Sequence, residues 1–137
     1  TPDGLENVLK LARQMSEGRV ICVFGCGGDR DISKRPKMGG VAAKLADALI
    51  LTSDNPRSES PKEILRQIEL GIPEGTVYQV IEDRRSAIEM SFRIAKPGDL
   101  VLIAGKGHEI FQEFRHHQVE FSDVVVAKEL HDRNFSE

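Results

Sequence analysis

Three short stretches of this 137-residue chain concentrate side chains suited to binding small charged molecules. Between Gly25 and Pro36, the run Gly25-Cys26-Gly27-Gly28 precedes Asp29, Arg30, Asp31, Lys34 and Arg35. Glycines let a backbone approach a ligand closely, and arginines grip carboxylate or phosphate through paired hydrogen bonds. The plainer alternative is a solvated charged loop. The second stretch is Asp54-Asn55-Pro56-Arg57. Pro56 fixes its own φ and restricts Asn55, so the segment is stiff. Arg57 could hold the carboxylate of a zwitterion and Asp54 its ammonium; equally, the segment could be an Asx-type turn with Arg57 in water. The third, Gly105-Lys106-Gly107-His108-Glu109, lacks the spacing of a phosphate loop and has no Ser or Thr after Lys106 to ligate magnesium. A self-contained nucleotide-hydrolysing site is therefore rejected. Glu109 remains suited to an ammonium group and Lys106 to an anion.

Each stretch follows a predicted strand. Arg19–Phe24, Ala48–Thr52, Thr76–Ile81 and Asp99–Ala104 are short runs, mostly continuous and apolar, as expected of strands buried on both faces of a parallel sheet. Helical periodicity separates them. Thr1 caps a helix with Pro2 at its first position, carrying Leu5, Val8, Leu9, Ala12 and Met15 to a stop at Gly18. A second helix covers Lys37–Asp47. A third opens on a Ser60/Glu63 capping box and presents Ile64, Leu65, Ile68 and Leu70. Asp83 caps a fourth, with Arg84 and Arg85 read as decoration of its start. Beyond Ala104, Ile110–Phe121 reads as two short strands around Arg115-His116-His117, and Ser122-Asp123 caps a last helix. The expected architecture is α/β: a Rossmann-like three-layer domain, with a mostly parallel sheet flanked by helices and an antiparallel edge strand or hairpin near the C-terminus. In such sheets ligands bind beyond the carboxyl ends of the strands, where all three polar stretches would meet.

Composition narrows the class. The length suits one domain, and 19 basic against 22 acidic residues disfavour nucleic acid as a partner. No run approaches the roughly 18 apolar residues of a membrane span, and the N-terminal stretch does not read as a signal peptide. Cys22 and Cys26 do not form a Cys-x-x-Cys pair, so a reduced, cytoplasmic chain without a metal site is expected. His116, His117 and His131 read as surface residues.

Taken together, Phe24–Asp31 (FGCGGDRD), Lys34-Arg35-Pro36, Ser53–Arg57 (SDNPR) and Ala104–Glu109 (AGKGHE) resemble the Mur ligases. The match is to the branch that adds meso-diaminopimelate. It covers essentially the whole chain in order. Thr1-Pro2-Asp3 resembles the end of the Asp-Tyr-Ala-His-Thr-Pro-Asp stretch where that family's central domain hands over to its last. The resemblance implies that residues 1–137 are the C-terminal, amino-acid-binding domain, with the UDP-sugar and central ATPase domains outside the chain. It implies an ATP- and Mg2+-dependent ligase of cell-wall precursor synthesis, bacterial and cytoplasmic. That enzyme activates UDP-MurNAc-L-Ala-D-Glu as an acyl phosphate, which the amine of meso-diaminopimelate attacks. By resemblance, Arg30, Asp54, Asn55, Arg57, Gly105 and Glu109 contact the diaminopimelate, and Lys34 and Arg35 approach the nucleotide phosphates on closure.

Arg57 carries the selectivity in this reading. Family members that add L-lysine depart from Asp-Asn-Pro-Arg, because lysine lacks the second carboxylate. A partly buried arginine left unpaired would disfavour lysine, since breaking a buried pair costs about 3–5 kcal/mol. The alternatives are the same domain adding L-lysine and a stand-alone small-anion binding module. A folylpolyglutamate synthetase domain would share the architecture with poorer motif agreement.

Overall fold

The computed structural model describes residues 1–105 and 111–135. The first helix, α1 (Pro2–Met15), is capped by Thr1, whose Oγ1 accepts the Gly4 N–H at 3.0 Å. It leads into β1 (Val20–Phe24), then α2 (Lys34–Leu45), β2 (Ala48–Leu51), α3 (Pro61–Glu69) and β3 (Gln79–Val80). The chain continues through α4 (Arg84–Ile94), β4 (Leu100–Ile103), the hairpin β5 (Phe111–Glu113) and β6 (Gln118–Glu120), and α5 (Asp123–Phe135).

The main sheet has the order β3-β2-β1-β4 and every pairing in it is parallel. Central β1 is completely buried, because helices cover both faces. On one face Val20, Cys22, Phe24, Leu49 and Leu51 pack with α1, α2 and α3 through Leu9, Ala42, Ile64 and Ile68. On the other, Val23 and Ile50 meet α4 and α5 through Ala87, Ile88, Val126 and Leu130. This is the expected three-layer α/β domain.

Several details differ from the sequence reading. The third strand shrinks to two residues with Val77 and Val80 exposed, since it lies at a sheet edge and has one neighbour to pair with. Val8, Met15 and Leu70 fit helical periodicity yet face water. Helix α2 begins at Lys34, three residues earlier than its apolar pattern suggests, with Pro36 tolerated in the first turn. Ser60 caps α3, but Glu63 does not complete the box; its carboxylate accepts from Arg66 and Gln67. The C-terminal hairpin forms as expected. Among the described residues it is a separate antiparallel pair and adds no strand to the main sheet.

The N-terminal ends of β1 and β4 are tied by Asp99. Its carboxylate accepts the Arg19 and Lys96 N–H groups at 2.8 and 2.9 Å and the Arg19 guanidinium at 2.9 Å. The backbone donors, ahead of the Arg19 side chain, lower its pKa to about 2. A carboxyl depressed on folding stabilises the native state above its unfolded pKa, and that contribution is lost as pH falls. The difference in unfolding midpoint between the native chain and Asp99→Asn is therefore expected to shrink from about pH 4 toward pH 2. A midpoint difference unchanged across acid denaturation curves would refute this role.

Candidate functional site

Beyond their carboxyl ends β1, β2 and β4 lie side by side, with Phe24 beside Leu51 and Val23 beside Ile103. The loops they release meet backbone to backbone. A Cβ on Gly25 would fall 2.0 Å from the Thr52 carbonyl oxygen, and one on Gly28 would fall 1.8 Å from that of Pro56. Only glycine permits this approach, which the Gly28 N–H seals by donating to the Asn55 carbonyl at 2.7 Å. The adjacent polar stretches are thus one rim. Two residues on it, Asp29 and Arg57, hold left-handed backbones with φ of 55° and 52°. Aspartate tolerates this region; arginine there costs about 1–3 kcal/mol unless its surroundings enforce it.

A depression of about 300 Å³ opens on this rim, lined by Arg30, Lys34, Asp54, Gly105, Cys26 and Thr1 among others. Arg30 and Lys34 are exposed, and Asp54 is half-buried. Gly105, at φ 111°, lies so close to Asp54 that a Cβ there would sit 3.3 Å from Asp54 Oδ2. The sequence-predicted Arg30, Asp54 and Gly105 therefore converge. Arg57 lines a neighbouring, more open hollow of about 350 Å³ with Asp29, Glu113 and Arg115. The two meet at Gly27, where a Cβ would lie 2.9 Å from Arg57 Nη1 and 3.7 Å from Arg30 Cγ. Asn55 is buried, its Oδ1 accepting the Glu113 N–H at 3.0 Å, so it braces the turn. Glu109, with Lys106 and His108, lies outside the described residues.

Arg35 departs from its expected role. It is 1% exposed, and both terminal nitrogens of its guanidinium donate inside the fold. It donates to both Glu59 carboxylate oxygens at 3.0 and 2.6 Å, to Gln67 Oε1 at 2.6 Å and to the Gly27 carbonyl at 3.0 Å. As an internal brace it does not face outward to a nucleotide phosphate; because α2 starts early, Arg35 turns into the core while Lys34 stays outside. Glu59 also accepts the Asp29 N–H at 2.6 Å, so this pair sets the shape of the glycine loop.

A second brace was invisible to sequence reasoning. Arg84, read as surface decoration, is buried and donates Nε and Nη2 to the two Asp123 oxygens, both at 2.7 Å. Its remaining donors reach the Ser53 carbonyl at 2.9 Å and the Ala104 carbonyl at 3.1 Å. Those carbonyls immediately precede Asp54 and Gly105. One guanidinium therefore joins the β2 exit, the β4 exit and the start of α5. Glu113, Gln112 and Glu59 were also missed, since no local spacing marks partners 24 to 58 positions apart.

Cys26 lies under the depression at 8% exposure, and burial pushes its thiol up to about 12 against the opposing field of Arg35. Cys22 is raised likewise. Both pack in the core as small, largely apolar side chains. Among the described residues no group of three or more His, Cys, Asp or Glu is placed to hold a metal ion. No described helix is long and apolar enough to cross a membrane.

Comparison with known proteins gives this chain relatives of named activity. The chain is 54% identical over 132 residues to a UDP-N-acetylmuramoyl-L-alanyl-D-glutamate–2,6-diaminopimelate ligase of Syntrophomonas wolfei, covering 95% of this chain and 27% of that protein. It is 56% identical over 128 residues to the ligase of that name from Thermosynechococcus vestitus, covering 93% and 26%. The chain thus spans about a quarter of the length of these relatives. A solved structure of a ligase with that name superposes with a TM-score of 0.93 at 43% identity, covering 100% of this chain and 28% of that one. An E. coli FolC structure in complex with ADP shares the fold alone, at TM-score 0.57 and 19% identity. The family model described as "Mur ligase, glutamate ligase domain" matches residues 1–107. On this agreement of fold and sequence, the chain belongs to the Mur ligase family, as its C-terminal, glutamate ligase domain.

Proposed function

We propose that this domain binds and orients meso-diaminopimelate for an ATP-dependent ligase that joins it to UDP-MurNAc-L-Ala-D-Glu in peptidoglycan precursor synthesis. The observation that carries the reading is the convergence of Arg30, Asp54 and Gly105 on one depression, with Arg57 beside Gly27 at its edge. The names of the similar ligases, which specify 2,6-diaminopimelate, support it.

The ligand carries two carboxylates and two ammonium groups, and the rim offers matching charges. Arg30 and Arg57 supply planar donors for carboxylates, and Asp54 supplies an acceptor for an ammonium. Held this way, the free amine is aimed away from the rim toward the activated carboxylate of the UDP-linked substrate. The contribution is positional: fixing an amine against its electrophile replaces a bimolecular encounter. ATP and magnesium belong, in this proposal, to the rest of the ligase, with Lys34 the residue of this domain able to approach the nucleotide as the domains close. Closure would also keep water from the activated carboxylate.

Calorimetric titration of the ligase carrying this domain, with meso-diaminopimelate and with L-lysine, tests the reading. Diaminopimelate is expected to bind, and Arg57→Ala to weaken it roughly ten- to a hundredfold, the scale of a charged hydrogen-bonding contact. Lysine is expected to bind far more weakly and to be indifferent to the substitution. Equal affinities for the two amino acids would overturn the role of Arg57.

A further inference from the structure

Four hydrogen bonds fasten β5 to the Asp54–Arg57 turn, and three of them belong to Glu113. Its N–H donates to Asn55 Oδ1 at 3.0 Å, its carbonyl accepts the Arg57 N–H at 3.0 Å, and its carboxylate accepts Arg57 Nε–H at 2.8 Å. Gln112 supplies the fourth, donating Nε2 to the Asp54 carbonyl at 2.9 Å. The two main-chain contacts are open to any non-proline residue at position 113. Only the carboxylate contact requires glutamate.

That contact contributes little to stability. The Arg57 and Glu113 side chains are 24% and 37% exposed, and ion pairs so open to water are weakened by solvent and salt. Its geometric effect is larger. A guanidinium is a rigid planar fork, and holding it at two points fixes its plane. Glu113 holds Nε, and the Gly28 carbonyl holds Nη1 at 3.0 Å. Nη2 donates to none of the described residues. Without Glu113, a single contact would anchor the fork, and the side chain could rotate about it.

The geometry points to Glu113 as a specificity-determining positioning residue: it fixes the plane of Arg57, so that the fork presents one orientation to a ligand carboxylate. This rests on the reading of Arg57 as the arginine that holds the carboxylate absent from lysine. The hairpin then has a task in selectivity, since it carries the residue that aims the arginine.

Steady-state kinetics on the whole ligase, comparing Glu113→Ala, Glu113→Gln and Arg57→Ala, tests it. Glu113→Ala is expected to raise KM for diaminopimelate roughly tenfold, with KM for ATP and for the UDP-linked substrate unchanged within about twofold. Discrimination against lysine is expected to fall in parallel. Glu113→Gln, whose Oε1 still accepts Nε–H, is expected to recover most of both. An unchanged or lowered KM for diaminopimelate in Glu113→Ala would overturn the proposal, the lowered value marking Glu113 as a competitor for the arginine. All three KM values rising together, or glutamine behaving as alanine does, would also overturn it. If Arg57→Ala leaves discrimination intact, the reading of Arg57 itself falls and takes this one with it. If Arg57→Ala abolishes discrimination while Glu113→Ala does not, only the role of Glu113 is lost.

Discussion

Replacing Arg84 with methionine is expected to lower the stability of the domain by about 3–5 kcal/mol, the usual cost of breaking a buried ion pair from one side. The methionine fills most of the volume, so the loss is electrostatic. Asp123, 5% exposed, would be left without its cation, and the Ser53 and Ala104 carbonyls would each lose a donor. Urea unfolding measures the change directly. The double variant Arg84→Met/Asp123→Leu is expected to recover only part of it. Removing both charges relieves the stranded carboxylate, but not the two carbonyls. Complete recovery would mean that those carbonyls matter little; a single-variant loss below about 1 kcal/mol would mean that the clamp is not needed.

Arg35→Met is expected to cost about 3 kcal/mol, toward the low end of the same range, because the Glu59 side chain keeps 24% of its surface in water. The pH dependence identifies the partner. The Arg35 hydrogen bonds, ahead of its charge, hold the Glu59 carboxyl below the ordinary range. Its stabilisation is therefore present above the ordinary glutamate pKa and lost as pH falls through the depressed value. The stability difference between the native chain and Arg35→Met is expected to narrow below about pH 4. A difference as large in acid as at neutral pH would assign the effect to packing. The variant is also expected to weaken diaminopimelate binding, because Glu59 and Arg35 together hold the Asp29 N–H and the Gly27 carbonyl in place.

Much of the fold was legible because its signals are local. Thr1 and Asp83 cap α1 and α4, and Gly98 makes its turn at φ 91°, each through contacts within three residues. The apolar runs of β1 and β2 announced a sheet covered on both faces, and it is so covered. The third strand was less readable: an edge position removes the pairing partner that would have extended it. Val8, Met15 and Leu70 satisfied a helical period that says where a side chain points, but not how far the neighbouring layer extends.

The candidate site divides along the same line. By itself the sequence determined which residues are chemically suited to a zwitterion and that their loops follow parallel strands, because residue type and strand order are properties of the chain. Those facts sufficed to bring Arg30, Asp54 and Gly105 to one rim. Tertiary structure alone decided which charges stay available. Lys34 and Arg35 are adjacent and both cationic, yet one is exposed and the other is consumed by Glu59, Gln67 and Gly27. Arg84 became a clamp because Asp123, 39 positions away, folds back onto it. The reason is physical: a charge costs too much to bury alone. Whether an arginine serves a ligand or the fold therefore depends on partners that only the packed chain brings within hydrogen-bonding distance.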